Sequence, residues 1–265
     1  MYAVRILVSL SQKSSNFARV LQTPLCKPRR PLRNACSRAA GAGGVSGNHT
    51  ASMRERIEQL NALPTAGVLM AAPYYIRPSQ AGIVGHFTAL ADASDKPVVL
   101  YDIPYRTGVR LELDTLLTLA AHPRIQAVKD CAGSLDTTLA LIRDGRLQVL
   151  AGEDINIFNT LCLGGSGAIA ASAHVRPEQF VALYRALSAG RLDEGRRIFQ
   201  ELAPLIQALF TEPNPAPVKA LLAALGLIRD ELRMPMTRAG GALVERLRAL
   251  EGLDRKEPYV TAEPV

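Results

Sequence analysis

Short apolar runs alternate with longer segments of helical periodicity through most of this chain. Each run is bounded by polar or glycine residues, a pattern that predicts buried parallel strands. Five strands are predicted in this way, at residues 68–72, 98–101, 126–129, 148–151 and 168–171. Between the runs, apolar residues recur every three or four positions, as on one face of a helix. Helices are therefore predicted at residues 80–93, 113–121, 135–143, 155–163 and 177–189.

The predicted strands recur at intervals of about 20–30 residues, which is the rhythm of an α/β fold of the (β/α)8, or TIM, barrel type. Upstream of them, residues 41–47 are rich in glycine and predict a turn without the apolar strand that should precede it. A helix is predicted after this turn, capped at residues 48–50 and ending near Leu60. Eight strands close a barrel, and only residues 6–10 remain as a candidate for a missing one. We therefore expect a barrel that is incomplete at the N-terminus.

Beyond Arg191 the pattern is helical without strands. A stripe of apolar residues is followed by a break at residues 213–215, and two further helices are predicted near 216–225 and 240–250. We expect three parts in the chain: a basic leader at residues 1–45 that is disordered, a partial barrel at residues 46–190, and a C-terminal helical extension at residues 191–265.

The charge of the chain is unevenly distributed. The 265 residues carry a formal net charge of +7, but residues 1–53 contain eight Lys and Arg and no acidic residue. The rest holds 23 of the 31 basic residues against all 24 acidic ones, so it is close to neutral. Neither a basic groove nor a nucleic-acid-binding motif is present, and no apolar run has the roughly 18 residues of a membrane span. We expect neither nucleic acid nor a membrane as a partner.

Cysteine and histidine are too scattered for a disulfide scaffold or a metal site. Neither a Cys-x-x-Cys pair nor a His-Glu-x-x-His motif occurs, so we expect reduced thiols, a cytoplasmic location and no metal. The residues concerned are Cys26, Cys36, Cys131, Cys162, His49, His86, His122 and His174.

The basic leader has three interpretations. Its composition suits a mitochondrial transit peptide, whereas Arg5 interrupts the apolar stretch that a secretory signal would need. The favoured interpretation is a wrong start or a frameshift in the coding sequence, because such an error would produce a basic segment without a pattern.

Two reactive side chains come at the ends of predicted strands. Residues 98–100 lead to Tyr101, and residues 127–128 lead to Lys129, and each strand then breaks at Pro or Gly. Side chains at the carboxyl ends of barrel strands point into the active site, so the phenol and the amine should face each other. A lysine that loses solvation has a lowered pKa, and its neutral amine can form a Schiff base with a ketone. The other interpretation of Lys129 is a strand-end lysine that reaches solvent.

Several motifs occur in the order and spacing of one family. They are Pro-Tyr-Tyr at 73–75, Arg-Pro-Ser-Gln at 77–80, Tyr-Asp-Ile-Pro-Tyr-Arg-Thr-Gly at 101–108, Val-Lys-Asp at 128–130, Gly-Glu-Asp at 152–154, Gly-Gly-Ser-Gly-Ala-Ile at 164–169, and Glu-Pro-Asn-Pro at 212–215 with Pro-Val-Lys at 217–219. With them the chain, from about residue 46 to about 237, resembles the dihydrodipicolinate synthase and N-acetylneuraminate lyase family of pyruvate-dependent class I aldolases. It is closest to the dihydrodipicolinate synthase members.

The resemblance implies a role for each of six residues. Lys129 would be the Schiff-base lysine, and Tyr101 the proton relay beside it. Tyr75 would insert into the site of a neighbouring subunit; packing at an interface is its other interpretation. Arg106 would hold the carboxylate of the second substrate, unless it forms a surface ion pair. The residues expected to line the pyruvate pocket through small size and backbone direction are Gly152 and Ile169.

The implied reaction condenses pyruvate with L-aspartate 4-semialdehyde in lysine and diaminopimelate biosynthesis. It needs no cofactor, since the imine nitrogen accepts the electrons, and the family implies a homodimer or homotetramer.

One alternative is another pyruvate aldolase of the family, acting on a sugar acid or on 4-hydroxy-2-oxoglutarate. A non-catalytic remnant is the other, because the Gly-Thr-Thr-Gly-Glu-type loop that supplies the relay threonine has no equivalent here. Ser52 replaces a glutamate of the family's lysine-feedback site, although Asn48 and Tyr74 match it, so feedback is in doubt.

Overall fold

The structure is a computed structural model that describes residues 41–253 and the short strand Ile6–Val8. The chain divides into two compact units, Met1–Ala170 and Ala171–Val265. Within the described residues, no helix is both long enough and apolar enough to cross a membrane.

Within the described residues, the first unit is built on one sheet of seven strands. Six of them, β2 to β7, are parallel and lie side by side in sequence order, and β1 pairs antiparallel with β7. The strands are β1 (Ile6–Val8), β2 (Ala42–Val45), β3 (Gly67–Ala71), β4 (Val98–Asp102), β5 (Ile125–Asp130), β6 (Gln148–Ala151) and β7 (Gly167–Ile169). All five strands predicted from apolar runs are present as β3 to β7.

Helices connect the parallel strands of this unit. They are α1 (Thr50–Asn61), α2 (Gln80–Asp92), α3 (Pro104–Thr107), α4 (Leu113–Leu119), α5 (Leu135–Asp144) and α6 (Ile157–Cys162). Three of them begin at side chains that accept a backbone N–H, namely His49 for α1, Ser79 for α2 and Ser134 for α5. Capping of α1 within residues 48–50 is thereby confirmed. The helix predicted at 155–163 is preceded by a 3-10 turn, Asp154–Asn156.

The two faces of the sheet bury different sets of residues because side chains alternate along each strand. One face packs on the helices through a large cluster that includes Val98, Leu100 and Val128. The opposite face carries a smaller cluster made of Val99, Ala127, Leu150 and Ile169. Tyr101 and Lys129 follow Val99 and Ala127 by two residues on their strands. They therefore lie on the same inner face of the sheet.

The glycine-rich stretch at 41–47 is a strand over most of its length, so the prediction of a turn with its strand missing was wrong. In the parallel register, Gly43 pairs with Val68 and Val45 with Met70. Val45 is buried, and a Cβ at Gly43 would lie 3.1 Å from Cδ2 of Leu60 on α1. Helix α1 therefore packs closely on the glycine backbone of β2, where most buried strands have apolar side chains.

Residues 6–10, the remaining strand candidate, contribute Ile6–Val8 as β1. Its partner β7 runs the opposite way, with Leu7 opposite Ala168. The parallel strand that a barrel would place there is therefore not supplied by this segment.

The second unit is helical. Its helices are α7 (Pro177–Ser188), α8 (Leu192–Leu209), α9 (Ala216–Ala224) and α10 (Gly241–Leu250). Leu205, Leu209, Leu221 and Leu247 form the centre of its core. The helices predicted from the periodicity after Arg191 are confirmed.

Candidate active site

Lys129 and Tyr101 lie side by side at the ends of β5 and β4. They occupy opposite positions in the parallel register, and the Lys129 Nζ atom is 4.2 Å from the centroid of the Tyr101 ring. A parallel sheet ends its strands at one edge, so two strand-end residues on the same face must meet. The structure thus brings together the amine and the phenol singled out in the sequence.

Burial dominates the electrostatics of this pair. It lowers the pKa of the Lys129 ammonium, while the nearby Cys131, Asp154 and Glu153 act in the opposite direction. Burial also raises the pKa of the Tyr101 hydroxyl. A fraction of neutral amine therefore becomes accessible beside a phenol that keeps its proton.

Gly152, just after β6, lies directly against the lysine. A Cβ at this position would lie 2.9 Å from Cγ of Lys129, 2.3 Å from Sγ of Cys131 and 3.0 Å from the Asp130 carbonyl oxygen. The space for the lysine side chain exists because residue 152 has none. Ile169 is buried in the inner-face cluster, two strands from Lys129.

The short helix α3 carries Tyr105 and Arg106 above the strand ends. It begins with Pro104 and ends at Gly108, whose φ of +80° is in the left-handed region that favours glycine. The sequence analysis predicted no helix here because four residues give no period. The Arg106 guanidinium is exposed and lies 5.9 Å from the centroid of the Tyr105 ring.

A cavity of about 390 Å³ opens beside Tyr101. Arg106 provides the charged side chain in its lining, and Tyr101 connects the cavity to Lys129. The residues that line it are Gly44, Val45, Ser46, Leu69, Ala71, Tyr74, Tyr101, Ile103, Arg106 and Thr107. A small molecule with an anionic end would find both an apolar wall and a cation here.

Tyr75 points away from the described residues. Its side chain is 87% exposed, and its φ of +73° is unusual for a residue other than glycine. The backbone N–H of Tyr75 donates to the Thr107 carbonyl oxygen at 3.2 Å, which fixes the turn. Among the described residues, the Tyr75 hydroxyl has no hydrogen-bond partner.

Polar side chains that the sequence analysis did not identify lie near Lys129. The Tyr105 hydroxyl donates to Oε1 of Glu153 at 2.8 Å. Cys131 and Glu153 lie close enough to Lys129 that both raise the pKa of its ammonium. A signal existed in the sequence, since Cys131 follows Lys129 by two residues, just past the end of β5, and Glu153 follows Gly152.

Behind the site, a buried carboxyl holds the segment that carries α3. Oδ1 of Asp102 accepts the Leu111 N–H at 3.1 Å, which closes the loop of residues 103–110. Burial raises the pKa of Asp102 to about 7, and the neighbouring Asp130 adds to the shift while Arg110 and the Leu111 hydrogen bond oppose it. Asp102 therefore keeps its proton to a higher pH than an exposed aspartate does.

Within the described residues, no group of three or more His, Cys, Asp or Glu side chains is arranged to hold a metal ion.

The family model described as the Dihydrodipicolinate synthetase family matches residues 37–250. The chain belongs to this family. The match includes residues 37–45, which the sequence analysis assigned to the leader.

Curated relatives agree with the family match. A 4-hydroxy-tetrahydrodipicolinate synthase of Limosilactobacillus fermentum is 40% identical over 216 residues, which cover 81% of this chain and 68% of the relative. The enzyme of the same name from Exiguobacterium sibiricum is 38% identical over 229 residues, covering 84% and 78%. The type of lyase expected from the sequence is confirmed by these relatives.

Solved structures of the family have the same fold. Dihydrodipicolinate synthase of Thermotoga maritima is 31% identical and superimposes with a TM-score of 0.79, covering 82% of this chain and 76% of its own. The chloride-inhibited enzyme of Acinetobacter baumannii, complexed with pyruvate, is 32% identical with a TM-score of 0.79 and coverage of 82% and 76%. The predicted TIM-barrel type of α/β fold is confirmed, and the six parallel strands described here are part of it.

In this dihydrodipicolinate synthetase family chain, the six residues predicted for the site are not all in one place. Lys129, Tyr101 and Gly152 are in contact, and Ile169 is on the same inner face of the sheet. Arg106 lies at the cavity beside Tyr101, whereas Tyr75 is turned outward. The roles of all six stay predictions.

Proposed function

We propose that this chain is a pyruvate-dependent lyase that condenses pyruvate with L-aspartate 4-semialdehyde through an imine on Lys129. The neutral amine adds to the ketone carbon of pyruvate, and loss of water leaves an iminium. Loss of a methyl proton then gives an enamine, whose carbon forms the new bond to the aldehyde carbon while the aldehyde oxygen takes up a proton. The semialdehyde's amine finally displaces Lys129 as the ring closes.

The observation that carries the proposal is the Lys129–Tyr101 pair. A lysine serves as a nucleophile near pH 7 only if its ammonium loses a proton readily, and burial lowers the pKa of Lys129 in this direction. The centroid of the Tyr101 ring lies 4.2 Å from Nζ, and we assign the transfer of protons at the imine to its hydroxyl. No separate cofactor is needed, since the iminium nitrogen takes up the electron pair.

Arg106 and the cavity support the choice of the second substrate. The cavity lies beside Tyr101, on the route by which an aldehyde would approach the enamine, and Arg106 is in its lining. A planar guanidinium binds a carboxylate through two parallel hydrogen bonds. The names of the curated relatives favour aspartate semialdehyde over other aldehydes with a carboxylate.

Trapping with borohydride tests the proposal. We expect sodium borohydride to fix pyruvate on the protein as a secondary amine, and mass spectrometry of the digested protein to find the label on Lys129. Lys129→Arg should abolish labelling, because arginine stays protonated near pH 7. Lys96→Arg, which changes a lysine held by Thr65 and the Leu63 carbonyl, is the matched control and should keep it.

Each alternative has its own outcome. A label on another lysine, such as Lys219, would contradict the assignment of Lys129. No label on folded protein would contradict the proposal and favour a non-catalytic remnant. Labelling without turnover of aspartate semialdehyde would contradict the choice of aldehyde, and would favour an aldolase for a sugar acid or 4-hydroxy-2-oxoglutarate.

A further inference from the structure

The link between α3, which carries Arg106, and α4 is held by the side chain of Gln80, the first residue of α2. Nε2 of Gln80 donates to the Arg110 carbonyl oxygen at 3.0 Å. Oε1 of Gln80 accepts the Glu112 N–H at 3.2 Å and the Thr115 hydroxyl at 2.6 Å. One side chain therefore uses both its donor and its acceptor to fix this link.

The turn that precedes α2 contacts the same part of the chain at two further points. The Tyr75 N–H donates to the Thr107 carbonyl oxygen at 3.2 Å. A Cβ at Gly108 would lie 3.0 Å from Nε of Arg77, so the Arg77 side chain lies against the backbone at the end of α3. Contacts from residues 75–80 therefore follow the chain from the end of α3 to the start of α4.

The position of Arg106 follows the backbone of α3. Its guanidinium is exposed, and the aromatic ring that it contacts, 5.9 Å away, belongs to Tyr105 on the same helix. Helix α3 has four residues, too few to be stable without support from the rest of the fold. The direction of the guanidinium at the cavity is consequently set by what holds the end of α3.

We propose that Gln80 is a positioning residue for the second substrate, which fixes the α3–α4 link so that Arg106 presents its guanidinium to the carboxylate of the aldehyde. The inference rests on the function proposed above and deepens it by naming the residue that makes this arginine selective. Gln80 is not among the residues that line the cavity, so it acts through Arg106. A guanidinium held in place loses less conformational freedom on binding, and the carboxylate binds more tightly as a result.

This role has a kinetic signature that general support of the fold does not have. The carboxylate of the aldehyde is not the reacting group, so its contact with Arg106 is present both before the carbon–carbon bond forms and while it forms. Loss of a contact of this kind raises KM and leaves kcat unchanged. The imine between pyruvate and Lys129 does not involve the contact and should form as before.

Steady-state kinetics with pyruvate and aspartate semialdehyde test the inference. Gln80→Met keeps the length of the side chain and removes all three hydrogen bonds, so the KM for the aldehyde should rise about tenfold. The kcat, the KM for pyruvate and borohydride trapping should stay within about twofold. Thr115→Val removes one of the three bonds at nearly constant volume and should raise the KM for the aldehyde about two- to fivefold. Gln59→Met, at an exposed position of α1, is the matched control and should change none of these quantities.

A double-mutant cycle shows whether Gln80 acts through Arg106. In an Arg106→Ala background, Gln80→Met should change kcat/KM for the aldehyde by less than about twofold, because the group that it positions is already absent. An equal loss in both backgrounds would overturn the inference, since Gln80 would then act by another route.

The remaining outcomes separate the inference from the function on which it rests. No turnover of aspartate semialdehyde by the unmodified chain would overturn both. Turnover with an unchanged KM for the aldehyde in Gln80→Met would overturn the inference alone. Loss of pyruvate trapping in that variant would also overturn it, because Gln80 would then support the whole site. If Gln80→Met does not fold, Thr115→Val decides, and an unchanged KM for the aldehyde there refutes the inference.

Discussion

Single residues decide whether the Lys129 site can form. Among them, Gly152 leaves the least room for a larger side chain. At Gly152, an added methyl group would meet the Cys131 sulfur at 2.3 Å and the Asp130 carbonyl oxygen at 3.0 Å. The carbonyl oxygen belongs to the backbone and the thiol is buried, so the strand ends would have to move apart. The lysine stem, 2.9 Å from the same point, would be displaced with them.

Gly152→Ala should therefore destabilise the protein by about 1–3 kcal/mol, as overpacking of a core does, and reduce pyruvate trapping. Urea unfolding and borohydride labelling measure the two effects. Gly85→Ala is the control: it lies in α2 with open space around its Cα, so alanine there should stabilise by about 0.5–1 kcal/mol. Equal stability of the two variants would contradict this account of the site.

At the scale of elements, the end of β4 and the segment that carries α3 depend on one carboxyl. Asp102 holds Leu111 through its Oδ1 atom and faces Asp130 and Arg110. Its folded-state pKa of about 7 is above the value of 3.8 that is usual for an aspartate carboxyl, so folding is favoured by the protonated form. The stabilisation from this group is complete below about pH 4 and is lost as the pH rises through 7.

Asp102→Asn should consequently raise stability at pH 8 by about 1–3 kcal/mol and change it little at pH 4, since the amide oxygen still accepts the Leu111 N–H. Chemical unfolding at both pH values measures the difference. Asp114→Asn, at an exposed position of α4, should change stability by no more than about 0.5 kcal/mol at either pH. An Asp102→Asn variant less stable than the unmodified protein at pH 8 would mean that the carboxylate is ionised and stabilising.

At the scale of the whole molecule, the exposed Tyr75 is placed to contact a second copy of the chain. Tyr75 is 87% exposed on a turn held by Thr107, and adjacent Ile76 is 53% exposed. An exposed aromatic side chain in a fixed, left-handed backbone conformation is suited to insertion into a partner. We propose that a neighbouring subunit of a homodimer or homotetramer accepts it.

Light scattering should therefore find an oligomer at micromolar concentration, and a purely monomeric protein would contradict the proposal. Tyr75→Phe should keep the oligomer and lower turnover by about tenfold or more, because the ring stays and the hydroxyl that would reach the neighbouring subunit's site is lost. Leu63→Ala is the control. It changes an exposed apolar residue just before β3, at the end of the sheet opposite to Tyr75, and should affect neither property.

Much of the fold and the centre of the site followed from the sequence. Apolar runs predicted β3 to β7, because a strand covered on both faces has no polar positions. The meeting of Tyr101 with Lys129 also followed, since parallel strands deliver their last residues to one edge. These features depend on local periodicity and on a register that the parallel arrangement imposes.

The rest was decided by contacts between distant parts of the chain. β2 is a strand because β3 pairs with it and Leu60 covers Gly43, and its own sequence has no apolar run to indicate this. Tyr105 and Glu153 are 48 positions apart, so no motif contains their hydrogen bond. The raised pKa of Asp102 results from burial, which is a property of the packed neighbours rather than of the residue. Local patterns therefore determined most of the strands and helices and the position of Lys129 at a strand end. Tertiary packing determined the pairing of β2, the hydrogen bonds between distant residues and the pKa values of the buried groups.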